Sequence, residues 1–391
     1  MSRLEELIAA LCPDGVEFEP LKNICEIRSG WGFPNSEQGL KEGELPFYKV
    51  SDMNSIDNNT IMTVSNNYIS YSTAKKLKCS PVPANTIIFP KIGAAIGTNK
   101  KRILSVQSCY DNNIVGLIPN NLILSKFLYY IIEKTNIIQF ADYSGAMPSI
   151  KKSTLEKYKI PVPPLPVQEE IVRILDKFTE LTAELTAELE KRKQQYKFYR
   201  DKLIKNSPSI VWKPFDEVCF LSAGGDVPKE HFSKEKTDVY NIPILSNGIG
   251  ENALYGYTNI AKVTSRCITI AARGTIGYCE LRKAPFFPII RLICAIPKKG
   301  ILADYIKYAT QMLTFKIPTS SIPQLTVPML KKYKIPVPPL EEQKRIVAIL
   351  DRFDALCNDP ISGLPAEIEA RKKQYEYYRD KLLTFKEKEA D

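Results

Sequence analysis

An internal duplication constrains the fold of this chain more than any other feature of its sequence. Residues 157–178 read KYKIPVPPLPVQEEIVRILDKF and residues 332–353 read KYKIPVPPLEEQKRIVAILDRF, with 16 of 22 positions identical at an offset of 175. A second pair follows, RKQQYKFYRDKL at 192–203 and RKKQYEYYRDKL at 371–382, with nine of 12 identical at an offset of 179. Because a repeat marks a repeated structural unit, we predict two variable regions alternating with two shared regions.

The shared regions are predicted to form long helices. Their apolar residues recur at spacings of three or four, which is typical of a coiled-coil seam. Neither Gly nor Pro interrupts residues 167–205, so we expect one helix of about 39 residues, roughly 58 Å long. The second copy is expected to break in the turn-rich segment 358–365. Since an apolar seam must be buried, the simplest packing places one helix against the other.

The variable regions are predicted to be mixed α/β domains. Gly, Pro and Asn bound short β-type runs at 86–89, 114–118 and 266–271, and helical stretches occupy 125–133 and 302–313. We therefore predict an α+β protein with two mixed α/β domains in tandem, separated by two long helices that pack against each other. The predicted segments are 1–156 and 207–331 for the domains, and 157–206 and 332–391 for the helical regions.

The residue inventory excludes several kinds of chemistry. The only histidine, His231, lies in a polar run and is expected on a surface loop, and nine scattered cysteines lack any C-x-x-C pair. Residues 93–100 lack the lysine spacing of a phosphate loop, and no G-x-G-x-x-G motif follows a strand. We predict no catalytic residue, no cofactor and no metal. The absence of a long apolar run or a signal sequence predicts a cytoplasmic protein without a membrane span.

The duplicated motifs IPVPPLxxQxxIVxILDxF and RKxQYxxYRDKL resemble the specificity subunit of type I restriction–modification systems, as does the opening LIAALCPDGVEFEPLKNICEI. The resemblance extends over essentially the whole chain. It implies that the two variable domains are target-recognition domains, each of which reads one half of a split sequence in double-stranded DNA. It also implies that the two long helices are packed as an antiparallel coiled coil, set the spacer and dock two modification (methyltransferase) subunits. It further implies that restriction (ATP-dependent motor and nuclease) subunits join through the assembled complex, that catalysis belongs to those other chains, and that this chain is quasi-circular.

Two sets of candidate residues follow. A net charge of +10 suits phosphate contacts, and base readout requires polar side chains at loop tips. The candidates for DNA contact are Lys49, Ser51, Asp52, Asn54, Lys91, Asn99, Lys100, Lys101, Arg102, Tyr143, Ser144, Gly145, Ser246, Asn247, Arg273, Lys316 and Gln324. The candidates for partner docking are the matched residues Gln168, Ile171, Arg192, Tyr196 and Arg200, and Gln343, Ile346, Arg371, Tyr375 and Arg379.

Two other functions remain open at this point. One is a stand-alone DNA-acting enzyme whose motif is not recognised, and turnover by the purified chain alone would favour it. The other is a coiled-coil scaffold that bridges proteins and has no DNA specificity, and a binding selection without any sequence preference would favour that function. The basic runs on the shared helices are interpreted as solvated faces or a docking surface, and the interleaved tyrosines as part of the helix core.

Overall fold

The computed structural model describes residues 2–207, 209–317, 323–359 and 361–389. The chain divides into two compact units, which we call the N-terminal unit (1–184 with 369–391) and the C-terminal unit (185–368). Each unit therefore combines one variable region with parts of both shared helical regions. The four segment boundaries given above remain predictions.

The N-terminal unit contains a five-stranded sheet and a three-stranded sheet. The five-stranded sheet has the order β2-β9-β6-β7-β4 and the smaller one the order β5-β3-β8, while β1 pairs with β12 and β10 with β11. The strands are β1 (Phe18–Pro20), β2 (Cys25–Ser29), β3 (Leu45–Tyr48), β4 (Ile61–Met62), β5 (Tyr68–Ile69), β6 (Ile87–Pro90), β7 (Arg102–Leu104), β8 (Cys109–Tyr110), β9 (Ile114–Pro119), β10 (Ala141–Asp142), β11 (Ser149–Ile150) and β12 (Lys159–Pro161). The helices are α1 (Arg3–Leu11), α2 (Leu21–Ile24), α3 (Tyr71–Lys76), α4 (Ser125–Lys134), α5 (Lys152–Glu156) and α6 (Leu165–Lys205), the last of which continues into the C-terminal unit.

The C-terminal unit repeats this topology. Its sheet β14-β20-β17-β18 corresponds to β2-β9-β6-β7, and its sheet β16-β15-β19 corresponds to β5-β3-β8. The strands are β13 (Val211–Pro214), β14 (Cys219–Ala223), β15 (Ile242–Leu245), β16 (Leu254–Thr258), β17 (Cys267–Ile270), β18 (Cys279–Arg282), β19 (Phe287–Pro288), β20 (Ile293–Pro297) and β21 (Lys334–Val337). The helices are α7 (Phe215–Val218), α8 (Ala303–Gln311), α9 (Val327–Lys331), α10 (Leu340–Asn358) and α11 (Leu364–Leu382), of which α11 extends into the N-terminal unit.

The helices confirm the main predictions from sequence. α6 has 41 residues, and the second shared region breaks between Asn358 and Leu364. In the C-terminal unit α6 runs antiparallel to α10, because Tyr199 stacks on Phe353 at 6.0 Å while Ser207, just after the end of α6, bonds to Glu342 near the start of α10. In the N-terminal unit, α6 contacts α11 through Phe178 and Tyr378, whose ring centroids lie 5.4 Å apart.

The seam of α6 is only partly buried, so that part of the prediction was wrong. Val167, Ile171 and Leu175 are completely buried in the core of the N-terminal unit, whereas Leu181 is 40% exposed and Tyr199 43% exposed. Apolar spacing marks a stripe along a helix. The α6 side chains that are completely buried, however, lie on helical turns that also contact a variable domain.

Segments from the two ends of the sequence pair within the N-terminal unit. The backbone N–H of Val16 donates to the carbonyl of Lys386 at 2.9 Å, and the N–H of Lys388 donates to the carbonyl of Val16 at 3.0 Å. Leu383 is buried in the core of this unit. A Cβ on Gly15, whose φ is +112°, would lie 2.8 Å from the Lys386 oxygen, so this close approach needs glycine. The quasi-circular course of the chain is thereby confirmed.

Other predictions concern single residues. All nine cysteines are buried free thiols, and His231 lies exposed in a short 3₁₀ turn, as expected. Over the described ranges, no helix combines the length and the apolar character needed to cross a membrane.

Candidate nucleic-acid interface

Several loops of the N-terminal unit meet at one edge of its larger sheet, and we call this the N-terminal edge (residues 29–31, 91–93, 111–113 and 142–149). The N–H of Gly30 donates to the Ile114 carbonyl and that of Trp31 to the Tyr110 carbonyl, both at 3.0 Å. A Cβ on Gly30 would lie 2.0 Å from the Asp111 oxygen. Only glycine therefore lets the β8–β9 turn close against the end of β2.

Lys91 connects three of these loops. It directly follows β6, its N–H donates to the Asn113 carbonyl at 2.8 Å, and its Nζ donates to Ser29 Oγ at 2.9 Å. Its carbonyl accepts from the N–H of Ile150 at 2.8 Å, which brings the 142–149 loop alongside. Burial lowers the pKa of Lys91, with a smaller opposing influence from Asp111.

Some of the predicted DNA contacts instead support the loops from inside. Asp52 is buried, and its carboxylate accepts from the N–H of Lys49 and from Asn66 Nδ2, both at 2.7 Å. Lys101 is also buried and donates to Asn99 Oδ1 at 2.7 Å and to the Thr135 carbonyl at 2.8 Å.

Arg102 is similarly committed to internal contacts, since its guanidinium donates to the carbonyls of Lys101 and Met53 at 2.7 and 3.1 Å. Together with Asp52, Asn99 and Lys101, it positions the loops by internal hydrogen bonds. These four side chains are therefore engaged inside the unit and are not among the base contacts that we propose.

Other predicted residues remain accessible on the N-terminal unit. Ser51 and Asn54 are exposed, and Lys100 bonds to Asn54 through its Nζ. Tyr143 is 65% exposed at the tip of the 142–149 loop, beside Ser144 and Gly145. Lys49 is half-buried and donates from Nζ to Gln38 at 3.0 Å.

The equivalent loops of the C-terminal unit form what we call the C-terminal edge (residues 224–225, 246–247, 271–275, 289–291 and 324–325). Asn247 joins two of them, because its Nδ2 donates to the Ile290 carbonyl at 2.7 Å and its Oδ1 accepts from the N–H of Ala272 at 2.8 Å. Arg273 donates to Gln324 Oε1 at 2.8 Å. Three of the predicted residues are thus brought together.

The other two predicted residues of this unit make separate contacts. Ser246 donates to the Ala253 carbonyl at 3.2 Å and supports its own loop. The Lys316 side chain is exposed, and its N–H donates to the Tyr333 hydroxyl at 2.7 Å.

Sequence reasoning missed the β8–β9 turn and its counterpart between β19 and β20. Asn112 and Asn113 occupy this turn in the N-terminal unit, and Ile290 and Arg291 occupy it in the C-terminal unit. The apolar run at 114–118, aligned with 292–296, would have located both turns.

The matched glutamines make the same internal contacts in both units. Gln168 is completely buried, and its Oε1 accepts from the N–H of Leu124 at 2.8 Å. Its Nε2 donates to the carbonyls of Pro163 and Leu122 at 2.7 and 3.0 Å. Gln168 therefore fixes the start of α6 to the loop before α4.

Gln343 repeats the arrangement at the start of α10. Its Oε1 accepts from the N–H of Leu302 at 3.0 Å, and its Nε2 donates to the carbonyls of Pro338 and Gly300 at 3.0 and 3.2 Å. Ile171 and Ile346, one turn further along their helices, are completely buried as well.

The matched tyrosines also contact the variable domains. The Tyr196 hydroxyl donates to Gln311 Oε1 at 3.0 Å, and the Tyr375 hydroxyl donates to Glu133 Oε2 at 3.2 Å. Arg379 adds an ion pair to Glu133 at 2.7 Å, whereas Arg200 is buried and pairs with its neighbour Asp201.

Most of the predicted docking residues are therefore engaged inside their own unit. Arg192 and Arg371 are partly exposed, with helix neighbours Glu188 and Gln374 as hydrogen-bond partners. Direct contact with a partner at any of these ten positions stays a prediction.

Exposed aromatic residues stand at equivalent places on the shared helices. Phe198 is 62% exposed and meets Tyr199 edge-on at 5.4 Å, and Tyr377 is 63% exposed and meets Tyr378 edge-on at 5.3 Å. Each inner tyrosine stacks in turn on a matched phenylalanine, Phe353 or Phe178. Among the described residues, no cluster of His, Cys, Asp and Glu is suited to hold a metal ion.

Comparison with known proteins identifies the class to which this architecture belongs. The family described as "Type I restriction modification DNA specificity domain" matches residues 13–192 and 212–370. The Escherichia coli protein named type I restriction enzyme EcoR124I/EcoR124II specificity subunit is 35% identical over 312 residues, covering 72% of this chain and 73% of that one. A Mycoplasma pneumoniae (strain M129) protein named as a type I specificity subunit is 31% identical over 371 residues, covering 93% and 96%.

Solved structures share the fold. The crystal structure of the type I restriction–modification S subunit from M. genitalium matches with a TM-score of 0.55 at 16% identity, covering 94% of this chain and 96% of that one. A chain from a study of complex assembly and conformational transition of the type I R-M system matches with a TM-score of 0.66 at 14% identity, covering 95% and 98%.

Two tandem units with equivalent loop edges and shared helices define a DNA-specificity protein. The chain belongs to the type I restriction–modification DNA specificity family. It is a recognition subunit and not a catalytic one.

Proposed function

We propose that each unit reads one half of a bipartite sequence in double-stranded DNA. The observation that carries this proposal is the pair of loop edges, which share a topology but differ in side chains. Equal topology gives both units the same approach to DNA, while different side chains specify different bases. The net charge of +10 supplies phosphate attraction.

Each unit offers its own set of side chains that could read bases, at its edge and in neighbouring loops. We assign this role on the N-terminal unit to the accessible residues Ser51, Asn54, Lys100, Tyr143 and Ser144, with Lys49, Lys91 and Gly145 shaping the loops that carry them. On the C-terminal unit we assign it to Arg273, Lys316 and Gln324, with Ser246 and Asn247 holding the loops.

We further propose that the shared helices set the unread spacer and dock two modification subunits. The exposed aromatic pairs support two docking sites of one kind, since Phe198 and Tyr377 are equally exposed and have matching neighbours. Large aromatic side chains supply much of the binding energy at protein interfaces. Restriction subunits would join through the assembled complex, in the cytoplasm where its DNA lies.

Assembly is tested by co-expression with candidate modification subunits and native mass measurement. We expect one copy of this chain with two partners. Phe198→Ser and Tyr377→Ser should each reduce the complex to one partner, and the double variant should bind none. Val239→Ser is the control because Val239 is also 62% exposed but lies in the variable domain. A stable one-to-one complex of the unaltered chain at saturating partner would contradict the docking proposal.

Recognition is tested by sequencing the methylome of cells that express the complex. We expect a bipartite motif with an unread spacer. The purified chain should show no turnover on plasmid DNA with magnesium, S-adenosylmethionine and ATP. Turnover without a partner would favour a stand-alone enzyme, and a binding selection without sequence preference would favour a scaffold.

A further inference from the structure

The turn between β19 and β20 has an unusual backbone. Ile290 and Arg291 have φ values of +52° and +63°, so two consecutive residues other than glycine are left-handed. This conformation is unfavourable, above all for a β-branched residue such as isoleucine. Such strain persists only where the surrounding structure imposes it, and it is concentrated at functional sites.

Hydrogen bonds from several directions impose this turn. The N–H of Ile290 donates to the Gly225 carbonyl at 2.9 Å, and the carbonyl of Ile290 accepts from Asn247 at 2.7 Å. The N–H of Leu292 closes the turn on the Ile289 carbonyl at 3.0 Å. The turn is therefore firmly held, and it leaves Arg291 exposed.

The strand register places Arg291 where the N-terminal unit has Asn113. The N–H of Gly224 donates to the Leu292 carbonyl at 2.8 Å, just as the N–H of Gly30 donates to the Ile114 carbonyl at 3.0 Å. Leu292 thus corresponds to Ile114, and the residues before them, Arg291 and Asn113, correspond as well.

Arg291 is exposed, and its turn is linked to loops that carry other polar side chains. Asn247 ties the turn to Ala272, and the next residue, Arg273, bonds to Gln324. Within the described part of the chain, neither Arg291 nor Arg273 forms an ion pair with a carboxylate. The guanidinium of Arg291 therefore remains available to a ligand outside the chain.

We propose that Arg291 is a specificity-determining residue that reads a guanine in the half-site bound by the C-terminal unit. A guanidinium matches the O6 and N7 acceptors of guanine in the major groove, whereas an asparagine amide matches adenine. The exchange of Asn113 for Arg291 between equivalent turns thus helps to make the two half-sites different. This inference rests on the proposed function, in which the two loop edges bind DNA.

The side chain of Arg291 can be removed without new backbone strain, because its left-handed conformation is one that smaller residues also adopt. Gly and Asn both tolerate positive φ, so Arg291→Gly and Arg291→Asn should preserve the turn. Arg291→Lys keeps the charge but loses the planar fork. Lys299, exposed in the variable domain beyond the opposite end of β20, provides the control variant Lys299→Ala.

The test uses the full chain in complex with its modification subunits, with methylome sequencing and a DNA-binding selection for each variant. We expect a guanine, on one strand, in the second half-site of the unaltered complex. Arg291→Gly should relax that single position, reducing discrimination roughly fivefold to a hundredfold, and Arg291→Asn should lose the guanine preference in favour of adenine. Arg291→Lys should relax it in part, Lys299→Ala should not, and the first half-site should be unchanged throughout.

Several outcomes would overturn the inference. One is a second half-site without guanine, and another is an unchanged motif in Arg291→Gly. A third is binding that weakens equally for all sequences with a shallower salt dependence, which would identify a phosphate contact. Absence of any sequence preference in the unaltered complex would instead defeat the proposed function itself, so the two failures are distinguishable.

Discussion

Replacing the buried glutamines should destabilise one unit at a time. Gln168→Met retains most of the side-chain volume but removes three hydrogen bonds, namely those to Leu124, Pro163 and Leu122. A hydrogen bond contributes roughly 1 kcal/mol net, and a buried donor left without a partner costs about 1–3 kcal/mol. We therefore expect the free energy of unfolding of the N-terminal unit to fall by about 3 kcal/mol.

Gln343→Met should do the same to the C-terminal unit. Its three hydrogen bonds are slightly longer, at 3.0, 3.0 and 3.2 Å. We therefore expect the free energy of unfolding to fall by the same amount as in Gln168→Met or by slightly less. The exposed Gln194 on α6 provides the matched control, and Gln194→Met should change stability by less than about 0.5 kcal/mol.

The assay uses the two tryptophans, since Trp31 lies in the N-terminal unit and Trp212 in the C-terminal unit. Urea unfolding followed by fluorescence in a Trp212→Phe background reports the N-terminal unit, and a Trp31→Phe background reports the other. A loss of about 3 kcal/mol would move a midpoint by roughly 1–2 M urea. If Gln168→Met kept full stability but reduced binding of the modification subunit, the structural role would be refuted in favour of direct docking.

Three further predictions test other features. Burial lowers the pKa of Lys101 from 10.5 to about 8, with a smaller opposing influence from Glu133. Between pH 8 and 10.5 the unfolded chain binds a proton that the folded chain lacks, so the free energy of unfolding of the N-terminal unit should rise with pH over this range. Urea unfolding across this window should show that Lys101→Met abolishes the rise, and an equal rise in the variant would contradict the assignment. A circular permutant opened at 205–209, with its natural ends joined, should keep its motif because Val16 and Lys386 already pair; folded permutants that recognise no DNA at several linker lengths would disprove this. Duplicating Thr186–Leu189 adds about 6 Å of rise to α6 and about 40° of rotation beyond a full turn, which is close to the roughly 34–36° twist of one base pair. The methylome should then show a spacer longer by one base pair with unchanged half-sites. An unchanged spacer would contradict the proposal that α6 sets the spacer length.

The architecture could be predicted because its signals are local and repeated. The uninterrupted run 167–205 predicted α6, and the turn residues at 358–365 predicted the break between α10 and α11. Helix periodicity and proline placement depend on neighbours along the chain, so a single sequence suffices to read them. The duplication then predicted that the second unit repeats the first.

The residues of the candidate interface were harder to predict because their roles depend on contacts distant in sequence. Lys101 looked like a DNA contact in a basic run, but it is buried against Thr135, 34 residues away. Arg291 was missed because a left-handed turn at that point leaves no local signal when the residue is not glycine. Composition identifies polar loops, but it does not show which of their side chains point inward.

The contacts of the matched glutamines explain how the two variable regions diverge on nearly constant helices. Gln168 and Gln343 bind their domains only through backbone N–H and carbonyl groups. Every residue type except proline offers both groups, so the loop before α4 or α8 can change its side chains without losing this attachment. This one attachment therefore tolerates different side chains in that loop, as long as the loop backbone is kept. The loops that we propose to read DNA are then free to differ, as Asn113 and Arg291 do.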